Sequence, residues 1–147
     1  MNQKDKELLL KDLAARLPYE VMLDIEYYDL QGDGKLKNRD VILSYGNIGY
    51  CSGNTNWVSV KPYLRPMSSM TEEEKEELKC LFDAKNITND SICFLEGGTL
   101  EEYEAQIPFS FCSKFIDWLN AHRFDYSGLI EKGLAIEVTK ENNPYKE

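Results

Sequence analysis

This chain is short of the residues from which catalytic and metal sites are built. Its 147 residues hold one histidine, His122, and four cysteines, Cys51, Cys80, Cys93 and Cys112. The cysteine spacings of 29, 13 and 19 residues contain no CxxC pair, which removes the usual zinc and dithiol patterns. Gly97-Gly98-Thr99 lacks the length and the lysine of a phosphate loop. Ser68-Ser69 lacks the flanking glycines of a nucleophile elbow. No apolar run nears the roughly 20 residues that span a bilayer, and MNQKDKELLLKDL at the start has no signal-peptide core. The expectation is a soluble, cytoplasmic protein, off the membrane, with reduced thiols and no cofactor or metal implied. Cations are also scarce. Seventeen Lys and Arg stand against 26 Asp and Glu, for a net charge of −9, and they are spread along the chain. Nucleic-acid binding, which requires clustered cations, is disfavoured.

What is present suffices for a core: 42% hydrophobic residues, with nine tyrosines, six phenylalanines and two tryptophans. A chain of this length buries enough surface to fold without staples. Leu8, Leu9, Leu13 and Leu17 recur at helical spacing over 5–17, and Pro18 ends that helix. A β-branched and aromatic run predicts a strand over 21–28. Gly32-Asp33-Gly34 marks a turn, and further short strands are expected over 40–45, 48–51 and 57–60. Pro62 and Pro66 are expected to end the last of these. Thr71 and Glu74 form a capping box opening a helix, whose buried stripe is Leu78, Leu81 and Phe82. Strands over 91–95 and 102–107 flank Gly97-Gly98. A helix over 108–122, with Pro108 in its first turn, buries Cys112, Phe115, Ile116 and Leu119. Cys80 and Cys112 fall on apolar helix faces, where a thiol acts as a small hydrophobe. A shorter helix over 127–132 is bracketed by Asp125 and by Gly133 as C-terminal cap, with Leu134 placed for the accompanying apolar contact.

The predicted fold class is therefore α+β: a small antiparallel curled sheet or SH3-like β module plus helices and a hairpin. One domain is expected over 1–147, with the β module at 20–62, a helix, hairpin and helix pair at 71–138, and a frayed tail at 139–147.

Four candidate sites follow. Asp29, Asp33, Gly34, Leu36 and Asp40 imitate positions 1, 5, 6, 8 and 12 of a calcium loop. Gln31 and Lys37 break the pattern and strands flank it, so a hairpin turn is the better reading. His122 at a helix end suits the negative pole of the helix dipole better than acid–base work, for which no partner is designated. Phe111, Phe115, Trp118 and His122 share one flank of the 108–122 helix, either as core or as an exposed aromatic patch. Trp57, Tyr63 and Arg65 could border a groove on the β module.

The strings VSVKPYLRPMSSMTEEEKEEL and WLNAHRFDYSGLIEKGLAIEV, with LLLKDLAARLPYEV near the start, carry a resemblance that spans most of the chain. They resemble a group of small uncharacterised proteins carried by phages and prophages of gut Bacteroidetes. The resemblance implies a mobile-element origin and an intracellular site of action, with no catalytic residues to carry over. The function expected is a non-enzymatic accessory protein that binds a host protein or small ligand. Two alternatives stand beside it: an acidic inhibitor of a host nucleic-acid-directed system by charge mimicry, and an enzyme with a site around His122. A homodimer would cover the Phe111–Trp118 flank if that flank is exposed.

Overall fold

The computed structural model describes residues 2–52, 56–82, 86–87, 91–95, 104–108 and 113–145. Phe111 and Cys112, and the Gly97-Gly98 hinge, lie outside the described residues. The fold is α+β, and its larger sheet is open rather than closed into a barrel. Two compact units divide the chain: residues 1–65 with 127–147, and residues 66–126.

In the first unit, α1 (Gln3–Ala15) begins at Asn2, whose side chain caps the Asp5 amide. Pro18 then sits in a 3-10 turn, Leu17–Tyr19, just past the helix. The sheet holds β1 (Met22–Tyr28), β2 (Leu36–Ile42), β3 (Trp57–Leu64) and β7 (Ile136–Glu137), in the order β2-β1-β3-β7. Both neighbours of β1 run antiparallel to it, whereas β7 joins β3 in parallel. Alternation along β1 sends Leu23 and Ile25 to one face. There they are buried with Leu9 and Leu13 of α1 and with Val60, Leu64, Leu129 and Leu134.

Three local expectations need correction. The second strand starts at Leu36 rather than at 40, because pairing with β1 extends to the hairpin turn. Residues 48–51 form part of a 3-10 helix, Ile48–Ser52, rather than a strand. Here the Asn47 side chain accepts from Ser44 N and donates to Ile42 O, turning the chain tightly. Pro62 lies inside β3 instead of ending it. Leu64 O accepts from Val138 N of the β7 segment, so alternation points Pro62 toward that same edge. Pairing with β7 begins only at Tyr63, so no ladder donor is missing.

Residues 139–145 of the expected frayed tail are folded. Thr139 and Asn142 cap one another, and Asn142 Nδ2 donates to Glu137 O. Tyr145 then places its hydroxyl between two strands, accepting from Met22 N and donating to Tyr63 O, each at 2.9 Å.

The second unit contains α2 (Glu72–Phe82), three strands β4 (Asn86–Ile87), β5 (Ser91–Leu95) and β6 (Glu104–Pro108), and α3 (Ser113–Ala121). The strands pair antiparallel in sequence order. The capping box at Thr71 forms as expected: Thr71 N donates to Glu74 Oε1 at 2.9 Å, and Glu74 N to Thr71 Oγ1 at 3.1 Å. Leu78 is buried, but Leu81 is 58% exposed and Cys80 is exposed as well. The buried stripe of α2 is thus narrower than its sequence suggests. Pro108 ends β6 rather than starting α3.

Two chain reversals share one geometry. Phe124 N donates to Leu119 O and Arg123 N to Asn120 O; likewise Leu134 N donates to Leu129 O and Gly133 N to Ile130 O. These are the paired bonds of a Schellman cap, each with a left-handed residue, Arg123 at φ 63° and Gly133 at φ 72°. The expected 127–132 helix is instead a run of turns, yet its glycine cap is made. Among the described residues, no helix is long and apolar enough to cross a membrane.

Candidate functional site

The first unit's covered face is only partly covered. Beyond Ile25, β1 continues to Tyr27, and β2 brings Arg39 opposite Ile25. The Arg39 guanidinium lies over the Tyr27 ring, 4.9 Å from its centroid, a diagonal cross-strand contact. A bulge in β3 decides what stands on the other side. Glu26 pairs with Ser59 but Tyr27 pairs with Trp57, so Val58 is the extra residue. In unbroken pairing Trp57 would fall on the opposite face from Val60. The bulge turns its indole to the side of Tyr27, as bulges beside binding sites do. Trp57 is 9% exposed, and Tyr50 of the 3-10 segment packs against it with ring centroids 5.0 Å apart.

Together these residues line an open cleft of about 570 Å³, bounded by Tyr27, Arg39, Val41, Tyr50 and Trp57, with the 28–31 hairpin turn at its mouth. A smaller recess of about 160 Å³ also borders the Tyr50–Trp57 pair, against Lys6, Leu9, Cys51 and Val58. Burial pushes the Cys51 thiol up to about 11, so it is an inert wall rather than a nucleophile.

The polar groups around the cleft are largely committed to structure. Asn47 is spent on its own turn. Asn56 Nδ2 donates to Tyr28 O, and Tyr28 N donates to Asn56 O, closing the end of the β1–β3 ladder. At the hairpin, Gly34 N and Gly32 N donate to Asp29 O, and strands flank the turn as expected for Asp29–Asp40. Lys37 Nζ sits 2.8 Å from Asp29 and 3.7 Å from Asp33, where a calcium ion would need open carboxylates. Its hydrogen bond holds the Asp29 carboxyl below the usual range. Among the described residues, no group of three or more metal-binding side chains forms.

The sequence-predicted site residues do not assemble as expected. Trp57 and Tyr63 stand on opposite faces of β3 and six residues apart along it; Tyr63 donates to Asp40 Oδ1 at 2.9 Å on the uncovered face. Arg65 lies beyond the end of β3, and so Trp57 alone of this trio lines the cleft. In the second unit Phe115 and Trp118 are buried with Met70, Leu78, Leu119 and Phe124. They are core, which corrects the exposed-patch alternative for both. Trp118 Nε1 donates to Glu77 Oε1 at 3.2 Å. His122 stacks on Trp118 at 3.9 Å, and its Nδ1 meets Trp118 O at 2.9 Å. The ring closes the helix C-terminus, as its position in sequence suggested.

Tyr27, Arg39 and Tyr50 were missed because each belongs to a different segment. Only strand register and the bulge unite them, and the weak signal was the aromatics beside the two glycine turns, Tyr27 and Tyr28 before Gly32–Gly34 and Tyr50 after Gly46–Gly49. No protein-family model, no curated protein and no solved structure matches this chain, so its reading rests on this geometry.

Proposed function

We propose that the chain is a non-enzymatic binding protein, an accessory protein of a mobile element, whose small-ligand site is the uncovered end of the sheet in the first unit. The observation that carries this reading is the bulge at Val58, which turns Trp57 toward Tyr27 and Arg39. The bulge sets the Trp57 indole, 9% exposed and part of the buried core with Leu9 and Val60, where it also forms a wall of the cleft. The cleft's volume of about 570 Å³ falls within the range of small-molecule sites, which are apolar and aromatic with few polar groups. The position of His122, closing its own helix, supports a binding role over acid–base chemistry.

A fragment screen followed by amide and indole NMR shifts tests the reading. Binders are expected to move the Trp57 indole and the 27–31 and 47–50 amides. Fragments that collect only on other surfaces would remove the cleft from consideration.

A further inference from the structure

We infer that the cleft of the first unit takes a planar aromatic ligand bearing one anionic group, a carboxylate or a phosphate monoester, with Arg39 as the anion's partner. This rests on the cleft being the binding site, and it adds the chemical class of what enters.

The groups that face the cleft select this ligand by elimination. Tyr27, Tyr50 and Trp57 all line the cleft, an aromatic wall that suits a flat ligand. A sugar would also stack there, but it needs several hydrogen-bonding partners. The amides at Asn47 and Asn56 already serve the backbone, which leaves Gln31 as the one side-chain amide for a sugar among the described lining residues. Asp29 is engaged by Lys37, so it neither attracts a cationic ligand nor stands as an open acceptor. Arg39 is different. The contact its guanidinium makes is with the Tyr27 ring, 4.9 Å from the centroid, which leaves its N–H donors for an incoming oxyanion. Stacking also orders the side chain in advance, reducing the entropy lost on binding.

Charge makes the arginine decisive. A chain of net charge −9 repels anions at long range. An anionic ligand is held only if a local cation overcomes that field, and Arg39 lies on the cleft wall itself. Charge-assisted bonds from one guanidinium separate an anion from its neutral isostere by roughly tenfold or more.

The test uses the full chain with 2-naphthoate, 2-naphthyl phosphate, neutral 2-naphthamide and cyclohexanecarboxylate, titrated while the Trp57 indole resonance is observed. Both naphthyl anions should bind at least about tenfold tighter than the amide, weaken with added salt, and exceed the cyclohexyl acid. The stronger of the two anions then distinguishes a carboxylate ligand from a phosphate. Arg39→Gln should erase the preference for charge while retaining binding of the amide, and Arg39→Lys should restore part of it. Arg39 is exposed, so the variants keep the fold, which an unchanged melting temperature verifies. If the amide binds as well as the anions and Arg39→Gln changes nothing, the ligand class is wrong while the cleft stands. If none of the probes moves Trp57, both the class and the cleft reading are overturned.

Discussion

Asp12 and Arg16 form the most buried charged pair described. Their side chains are 1% and 0% exposed, with Arg16 Nε 2.6 Å from Asp12 Oδ2. A second guanidinium nitrogen reaches Asp12 Oδ1 at 3.2 Å, and Ser127 Oγ donates to that same oxygen at 2.9 Å. The pair therefore ties the last turn of α1 to the returning C-terminal segment. Desolvating both charges is costly, so the pair itself adds little net stability, but removing one partner strands the other. Asp12→Ala should cost about 3–5 kcal/mol in urea unfolding. The double change Asp12→Leu with Arg16→Met should recover most of that loss. Equal losses for the single and double variants would mean that packing, not charge, dominates the site. Tyr63 gives a second prediction at this scale. Burial first, then its hydrogen bond to the Asp40 carboxylate, pushes the phenol up to about 12 from an ordinary 10.0. A raised folded value means stability that is fully present below pH ~10 and declines as pH climbs through ~12, where the unfolded phenol ionises first. In ultraviolet titration a phenol that ionises at about pH 12 should vanish in Tyr63→Phe and move to lower pH in Asp40→Asn. If Tyr63→Phe instead removes a phenol that ionises at about pH 10, the hydrogen bond does not persist in solution.

Among the elements, the caps and the strands at 22–28, 91–95 and 104–108 were legible, and those that depend on pairing alone were not. The capping box at Thr71 and Glu74 is a contract between residues three apart, and it forms as read. The Gly133 cap is equally local, and it holds even though the segment before it is turns rather than helix. By contrast β2 has no alternation to read: six of its seven residues are exposed, and only its register with β1 makes it a strand. Pro62 misled for the same reason, since its tolerance depends on where β7 arrives from far along the chain. The cleft needed both the β2 register and the Val58 bulge, so only Trp57 of its aromatic wall could be named in advance. Gly133 supplies the element-scale prediction. At φ 72° nothing lies within 4 Å of a Cβ built there, so a methyl group meets no clash and the cost is conformational alone. Gly133→Ala should lower stability by about 1 kcal/mol. A loss several times larger would mean that the bonds from Leu134 and Gly133 break with the substitution.

For the whole molecule the order of the chain matters more than any single contact. The first unit is discontinuous: it opens with residues 1–65 and is completed by 127–147. The returning segment contributes Leu129, Leu134 and Ala135 to the core, the parallel strand β7, the Ser127 bond to Asp12, and the Tyr145 hydroxyl that bridges β1 and β3. Residues 66–126 are continuous and carry a separate core around Leu78, Phe115 and Leu119. Topologically they are an insertion between the end of β3 and the segment that completes its sheet. Excising 66–126 and joining Arg65 to Ser127 through a long Gly/Ser linker should leave the first unit folded. Trp57 would then be its sole indole, so a dispersed indole resonance and protected β1–β3 amides report the result directly. Deleting 127–147 instead should unfold the first unit, because it removes three core side chains and both ties to Asp12 and the strand ends. If the excised protein is unfolded while the full chain is stable, the two units depend on each other for folding, and ligand work on the cleft must keep the chain whole.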